Sequence, residues 1–344
     1  MFLGIEIGGT KLQLAVGARG GEPLVELERF EVNRAQGARG IREAIGRCAE
    51  RLRARHTLKA VGIGFGGPID VIRGRTLKSH QIDGWDDFPL AQWCRETFGL
   101  PVGIGNDADT AGLAEAVYGA GRGHRVVFYI TVGSGIGGAL VIDGAVYTGG
   151  SGIAAEIGHL RPGPQAERAD QTVESIASGW GIAAGARARL GERVTHPLKP
   201  LIAGGRPRTV ESLRHRLIEA EEAEEEYAAD LLSRCDGRLE QLTTKLLGQA
   251  AAEGNRLAEE ELLHATQTLG WAVAQVITLV APEVVVIGGG VPLVGDTLFF
   301  APLREEVARY VFPPLKDRYH IVPAALGEEV VLHGALRLAE SFAR

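Results

Sequence analysis

The chain opens on two short apolar runs, Phe2–Ile7 and Leu12–Val16, separated by Gly8-Gly9-Thr10. Runs of this length bounded by turn residues read as buried strands, and Gly-Gly between them as a hairpin turn. Leu24–Phe30 reads as a third strand. Ile41, Ile45, Cys48 and Leu52 recur at helical spacing, which predicts an amphipathic helix over 38–55. Ala60–Phe65 is a buried strand that stops at Gly66-Gly67-Pro68, and Val102–Gly105 is a short strand that delivers Asn106-Asp107 to a helix over 108–118. From Arg125 the order restarts. Strand Val126–Val132 enters a glycine turn, Gly133–Gly138, and leaves it as the apolar run Ala139–Ile142. Leu262, Thr266, Leu269, Val273, Ile277 and Val280 mark a long buried helix. A strand at Val284–Ile287 is stopped by Gly288-Gly289-Gly290, and a short strand at Ile321–Val322 precedes a terminal helix, Val331–Phe342. Each half opens with a strand, a glycine turn and a strand. This repetition predicts a duplicated α/β fold with one glycine turn from each half facing a shared cleft. Residues 186–237 break the pattern with prolines, glycines and the acidic run Glu219–Glu226. Such a run is usually a solvated helix face, compatible here with a lid or an oligomer contact.

Composition adjusts this picture in five places. A length of 344 residues favours two domains over one. Glycine, at 48 residues, is about twice its usual share, so many tight turns or close backbone approaches are expected. The net charge of −6 argues against a nucleic-acid surface, which carries a basic stripe. Cys48, Cys94 and Cys235 form no disulfide framework, which fits a reducing cytoplasm. The first apolar residues belong to a glycine-interrupted strand and not to a signal pattern, and the run Ala272–Val280 is too short to span a bilayer. The expectation is a cytoplasmic protein with no membrane partner.

The candidate chemistry gathers around Thr131–His159, a stretch with nine glycines. Glycine-dense backbone lets N–H groups approach an anion. Glu156 and His159, three residues apart, suit hydroxyls or a metal. Two G-x-G-x-x-G matches occur, at Gly62-Gly64-Gly67 and Gly133-Gly135-Gly138. A dinucleotide site needs a helix after the glycines. Here one match is followed by Pro68 and a loop and the other by a strand, and there is no P-loop pattern. Asn106-Asp107 lie at a strand's C-terminal end, where open α/β sheets bind ligands. The competing reading is a helix cap, and one residue can cap while the other does chemistry. In the loop over 69–90, His80, Asp83 and Trp85 are pocket candidates, against a surface loop with one anchoring Trp.

Seven segments then appear in order: IEIGGTK (5–11), GIGFGGPID (62–70), IGNDADTAGLAE (104–115), TVGSGIGGALVIDG (131–144), AAEIGH (154–159), VESIASG (173–179) and VVVIGGGV (284–291). Together they resemble the ROK family of bacterial sugar kinases and related repressors, over nearly the whole chain outside 190–237. The resemblance implies a duplicated actin-like ATPase (ribonuclease H-like) fold, two domains around a central cleft. These would be a smaller domain of 1–118 plus 331–344, and a larger one of 119–330 with a helical insertion around 190–237. It implies ATP-dependent phosphorylation of a hexose, glucose or a close relative at the 6-hydroxyl. The alternatives are an N-acetylmannosamine or fructose kinase, or a sugar-binding regulator without kinase activity. Repressors of the family carry a helix-turn-helix domain ahead of the first strand; this chain opens on that strand and is acidic, which argues against a repressor.

Laid on the residues, the resemblance makes Gly8, Gly9, Thr10 and Lys11 a first phosphate loop and Gly133, Ser134, Gly135, Gly137 and Gly138 a second. Gly288, Gly289 and Gly290 lie where the family holds the nucleotide. Asp107 is the implied general base. Gly67, His80, Asn106, Asp107, Glu156, His159 and Glu174 are the implied sugar contacts. Glu6 would reach Mg²⁺ through water, and a homodimer is expected. This assignment suits phosphoryl transfer, which needs positioning, charge neutralisation and an acceptor for the hydroxyl proton. Three departures stand out. The segment after His159, LRPGPQAERADQT, lacks the family's zinc-binding cysteines, so no zinc site is expected and His159 is free for the sugar. Glu6 stands where many kinases of the superfamily have Asp, and Ser79-His80 replaces the commoner Pro-Asn.

Overall fold

The structure is a computed structural model that describes residues 1–77, 82–162, 168–195 and 224–343. The first half contains β1 (Phe2–Ile7), β2 (Lys11–Gly17), β3 (Glu26–Glu31), α1 (Gly37–Arg55), β4 (Val61–Phe65), the small hairpin β5 (Ile69–Asp70) and β6 (Arg75–Thr76), α2 (Leu90–Phe98), β7 (Val102–Asn106) and α3 (Asp107–Val117). The second contains β8 (Val126–Val132), β9 (Ile136–Ile142), β10 (Ala145–Val146), α4 (Val173–Ala177), α5 (Gly179–Thr195), α6 (224–234), α7 (Thr244–Ala252), α8 (Arg256–Val280), β11 (Val284–Gly288), α9 (Ala301–Tyr310), β12 (His320–Pro323) and α10 (Val330–Phe342).

The duplication is visible in the sheets. One has the order β3-β2-β1-β4-β7 and the other β10-β9-β8-β11-β12. In each, the first strand forms an antiparallel hairpin with the second and pairs in parallel with the fourth, which pairs in parallel with the fifth. β4 and β11 are buried along their whole length. Central parallel strands covered on both faces carry such unbroken apolar runs. The mixed α/β architecture with two equivalent sheets is that of the actin-like ATPase fold.

Two helices tie the halves together. α3 follows the last strand of the first sheet but packs on β8 and β9 of the second. α10 follows the last strand of the second sheet and packs on β1, β4 and β7 of the first. The two helices also pack on each other, and glycine makes that crossing close. A Cβ at Gly334 of α10 would lie 1.9 Å from the Thr110 carbonyl oxygen of α3, and one at Gly62 of β4 would lie 1.8 Å from that of Ala335. Part of the glycine excess therefore serves helix approach and not turns.

The expected elements form with small shifts, and two differences stand out. β9 begins at Ile136, so Gly137 and Gly138 are ladder residues opposite Thr131 and Ile130, and the second glycine turn shrinks to Gly133–Gly135. α8 starts six residues before Leu262, because Asn255 caps it: the side chain accepts from the Ala258 N–H while its amide donates to the Tyr227 carbonyl and Asp230. Only the edges of the 190–237 segment, the end of α5 and α6, fall among the described residues; 196–223 lie outside them.

Candidate active site

The site is assembled around the junction of β7 and α3. Asn106 is extended, and its Oδ1 accepts from the N–H groups of Ala108 (2.8 Å) and Asp109 (3.4 Å). Its Nδ2 donates to the Gly67 carbonyl oxygen at 2.9 Å. Asn106 is thus the helix cap, and it also pins the turn after β4 beside the start of α3. Asp107, relieved of capping, becomes the first helical residue and turns its carboxylate toward a cavity. Helix N-termini favour ionised carboxylates, yet Asp107 is pushed up to about 6. Burial is the main cause. The Ala108 N–H opposes it, and the charges of Glu6 and Glu156 add to it.

The cavity holds about 400 Å³, within the usual range for small-molecule sites. Glu6 and Lys11 reach it from the first hairpin, Asp107 from α3, Thr131 from β8 and Gly288, Gly289 and Gly290 from the end of β11. Leu293, Phe300, Ala324, Gly327 and Glu328 extend the wall. The sequence reading missed these last five; no motif marks them, and only their place after the fourth and fifth strands of the second sheet hints at the cleft. Gly8 closes the first turn by donating its N–H to the Lys11 carbonyl at 2.9 Å. Glu6 is buried, 3.1 Å from the Lys11 ammonium through Oε1.

Two metals come into question here. Mg²⁺ prefers oxygen ligands, usually one or two carboxylates with phosphates and waters completing the shell. Glu6 and Asp107 on one cavity fit that requirement. Zinc wants four thiolate or imidazole ligands. His159 is exposed, and among the described residues no group of three or more His, Cys, Asp or Glu is placed to hold a metal ion; residues 163–167 of the segment after it lie outside those described. The described residues do not fit zinc.

The second glycine turn is held from behind. Glu174 of α4 accepts the Ile136 N–H through Oε2 at 2.7 Å, and Gly179, the first residue of α5, donates its N–H to the Gly133 carbonyl at 2.8 Å. Glu174, expected as a sugar contact, therefore spends one oxygen on the turn. Ser134 is exposed at its tip. Gly137 and Gly138, expected as phosphate contacts, lie inside β9 and do not line the cavity. A Cβ at Gly137 would sit 2.8 Å from that of Ala108, and one at Gly138 would sit 2.3 Å from the Ala155 carbonyl oxygen. These two glycines admit the start of α3 on one face of the strand and the Glu156 segment on the other.

Beside the larger cavity a smaller hollow is lined by Pro68, Ile69, Asn106, Asp109, Gly138, Ala154 and Glu156. Glu156 follows Ala155, whose φ of 62° is uncommon for a residue with a Cβ, and leads into the single turn Ile157–His159. Glu156 is exposed on one side, yet the desolvation of its carboxylate raises it above its ordinary value; His159 opposes this and Glu174 adds to it. Asp109 was not singled out by sequence, since an acidic residue in a first helical turn is commonplace. It is pushed up to about 7 by burial, then by Glu156 and Asp107. His80 lies outside the described residues. Trp85 is buried, edge-on to Phe65 at 5.3 Å, and Asp83 is exposed, so Trp85 acts as a core anchor and neither lines the cavity or the hollow.

Comparison with known proteins agrees with this geometry. The model of the ROK family matches residues 2–341. A glucokinase of Halalkalibacterium halodurans is 30% identical, over 97% of this chain and 93% of its own. One from Thermotoga maritima is 29% identical, over 97% and 95%. The crystal structure of a ROK family glucokinase from Streptomyces griseus, in complex with glucose and AMPPNP, matches with a TM-score of 0.77 and 28% identity over 99% of each chain.

Proposed function

The chain belongs to the ROK family, and on that footing we propose that it is an ATP-dependent hexose kinase acting on the 6-hydroxyl of glucose or a close relative. One observation carries the reading. Asp107 lines the larger cavity with Glu6, Lys11 and Gly288–Gly290, while its neighbours Asn106 and Asp109 line the smaller hollow with Glu156. A carboxylate between a nucleotide-sized cavity and a polar hollow is where an acceptor hydroxyl would meet a phosphoryl group.

In this reading the nucleotide occupies the larger cavity. The glycine turns, closed by the N–H groups of Gly8 and Gly133, would offer their remaining N–H groups to its phosphates, and Lys11 offers a positive charge. Mg²⁺, held with Glu6, neutralises phosphate charge when bound. The sugar occupies the side of Asn106, Glu156 and His159, which with the free oxygen of Glu174 read its hydroxyl pattern. Asp107 accepts the 6-hydroxyl proton as the oxygen bonds to the γ-phosphorus and the bond from that phosphorus to the bridging oxygen breaks, ADP leaving with the electron pair. A value near 6 keeps it ionised at neutral pH and basic enough to take that proton. Relatives that are glucokinases, one of them solved with glucose and an ATP analogue, support the substrate class.

The test is ADP release with Mg²⁺ and ATP across hexoses and N-acetylhexosamines. Turnover with glucose or a close hexose is expected. Turnover only with N-acetylmannosamine would move the substrate, and tight sugar binding without ADP release on any sugar would overturn the kinase reading in favour of a regulator. We also infer a cytoplasmic homodimer, which light scattering and cell fractionation check. Among the described residues no helix is long and apolar enough to cross a membrane.

A further inference from the structure

Glu6 and Gln13 stand directly opposite each other on β1 and β2. Gln13 is 2% exposed, a buried amide between Leu12 and Leu14. Buried amides need both ends bonded. Its Nε2 donates to Glu6 Oε2 at 2.7 Å, and its Oε1 accepts from Arg29 Nε at 2.8 Å. Arg29 can only donate and an ionised carboxylate can only accept, so this order fixes the amide in one orientation. Arg29 in turn pairs through Nη2 with Glu329 Oε1 at 2.9 Å. Glu329 directly follows Gly327 and Glu328, which line the cavity wall. The chain of bonds therefore joins the carboxylate at the cavity floor to the segment that forms part of its wall.

The two oxygens of Glu6 are thereby distinguished. Oε2 is tied to Gln13, and Oε1 stands beside the Lys11 ammonium. A glutamate has one more rotatable bond than an aspartate, and that freedom costs entropy when a ligand fixes it. A buried partner that fixes it beforehand removes the cost from the binding step.

We propose that Gln13, held by Arg29, is the positioning residue for Glu6, orienting its carboxylate for the metal that accompanies a nucleotide phosphate in the larger cavity. The proposal rests on the reading of that cavity as a metal–nucleotide site. Gln13 does not line the cavity, so it acts on the metal only through Glu6.

Calorimetric titration with ADP, once with Mg²⁺ and once with a chelator, separates the roles. Gln13→Ala is expected to weaken ADP binding in the presence of Mg²⁺ about ten-fold, the usual size for loss of a group that orients a metal ligand. Metal-free ADP binding stays at the wild-type value. In the double variant with Glu6→Asp, removal of Gln13 adds little, because the side chain it orients is gone. Should Gln13→Ala fail to fold, Arg29→Gln releases the same amide from a half-exposed position and is expected to act in the same direction, more weakly. Equal weakening with and without Mg²⁺, or none in either, overturns the role of Gln13. If the wild-type chain binds no ADP under either condition, the cavity reading itself falls, and the proposal with it.

Discussion

The two glycine hairpins occupy matched positions in the two halves and do different work. In the first, Glu6 pairs with Gln13 and Ile7 with Leu12; in the second, Thr131 pairs with Gly137 and Val132 with Ile136. Position for position, Glu6 corresponds to Thr131 and Gln13 to Gly137. Glu6 and Thr131 line the same cavity from opposite sheets. The residues across from them differ in kind. Gln13 fills its place and bonds to Glu6, whereas Gly137 leaves its place empty and α3 moves in. The same contrast recurs at the ends of the sheets. β7 runs directly into α3 through the cap at Asn106, but β12 reaches α10 only through residues 324–329. Duplication supplies a symmetric frame, and the chemistry comes from unequal residues at equivalent places in it.

The sharpest test of that asymmetry is Asp107, the charged residue at the start of one crossing helix, where α10 begins with Val330. Asp107→Asn keeps the size and the helix start but removes the base. A fall in kcat of about 10²–10⁴-fold is expected, the range for a positioned general base, with sugar affinity by calorimetry little changed. Retention of more than a tenth of wild-type kcat would remove Asp107 from that role.

The loop that makes the second crossing different is anchored by a single fully buried carboxylate. Glu115 of α3 accepts from the N–H groups of Ala325 (2.9 Å) and Leu326 (2.8 Å) through Oε1, and of Ala120 (2.8 Å) through Oε2. Ala324 and Gly327, on either side of the anchored pair, line the cavity. Glu115→Ala leaves three donors without their acceptor. Each orphaned group costs about 1–3 kcal/mol, so a loss of roughly 3 kcal/mol or more is expected in urea denaturation, with weaker ADP binding at temperatures where the variant is folded. Gln at this position, which keeps an acceptor, should recover part of both.

Much of this frame could be read from the sequence, and the reason is local. Glycine-stopped apolar runs set the strands, their order set the duplication, and Asn106-Asp107 announced itself by lying after a strand and before a helix. What could not be read depended on contacts between elements that lie apart in the sequence. Gly137 and Gly138 belong to a glycine cluster that looks like one long turn; only the ladder with β8 shows that the turn ends at Gly135. Glu174 lies far along the chain from Ile136, and its bond to that backbone carries no sequence signature. Gln13 and Asp109 look ordinary because a polar residue in a strand and an acid in a first helical turn are both common. Their meaning comes from what the fold packs beside them, Glu6 and Arg29 for Gln13, and Pro68, Gly138 and Glu156 for Asp109.

Gly137 and Gly133 allow the space argument to be tested within one hairpin. A Cβ at Gly133 would meet nothing within 4 Å, whereas one at Gly137 would meet Ala108 at 2.8 Å. Gly137→Ala should therefore displace the start of α3, at a cost of about 1–3 kcal/mol for overpacking, with a lower kcat because Asp107 moves with it. Gly133→Ala should leave stability within about 0.5 kcal/mol and act, if at all, on the KM for ATP. Thermal denaturation and kinetics on the pair distinguish a glycine kept for packing from one with open space around it. Equal losses in both would mean that the ladder assignment of Gly137 does not explain it.

The smallest effect concerns Asp109, whose first-turn partner Asp107 sets the acid limit of the reaction. Asp107 must be ionised to take a proton, so kcat/KM should fall as pH drops through about 6. Asp109, near 7, is raised in part by the ionised Asp107 and holds its proton while Asp107 gives one up, so the acid limb follows Asp107. Asp109→Asn replaces a carboxyl that is mostly neutral across that limb with a neutral amide and should leave the limb in place, with kcat at pH 8 changed by less than about ten-fold. Stability gives an independent reading with a definite sign. The folded state holds the Asp109 proton up to about 7, while the unfolded chain releases it near the ordinary 3.8. Folding therefore binds a proton between these values, and the wild-type chain loses stability as pH rises from about 4 through 7. An asparagine has no such proton to lose. The Tm of the variant should match that of the wild type near pH 4 and exceed it by roughly 3 °C at pH 8. A gap that shrinks with rising pH would show that the Asp109 carboxylate is stabilised in its ionised form, and that the polar hollow beside Asp107 is less acidic in character than its three neighbouring carboxylates make it.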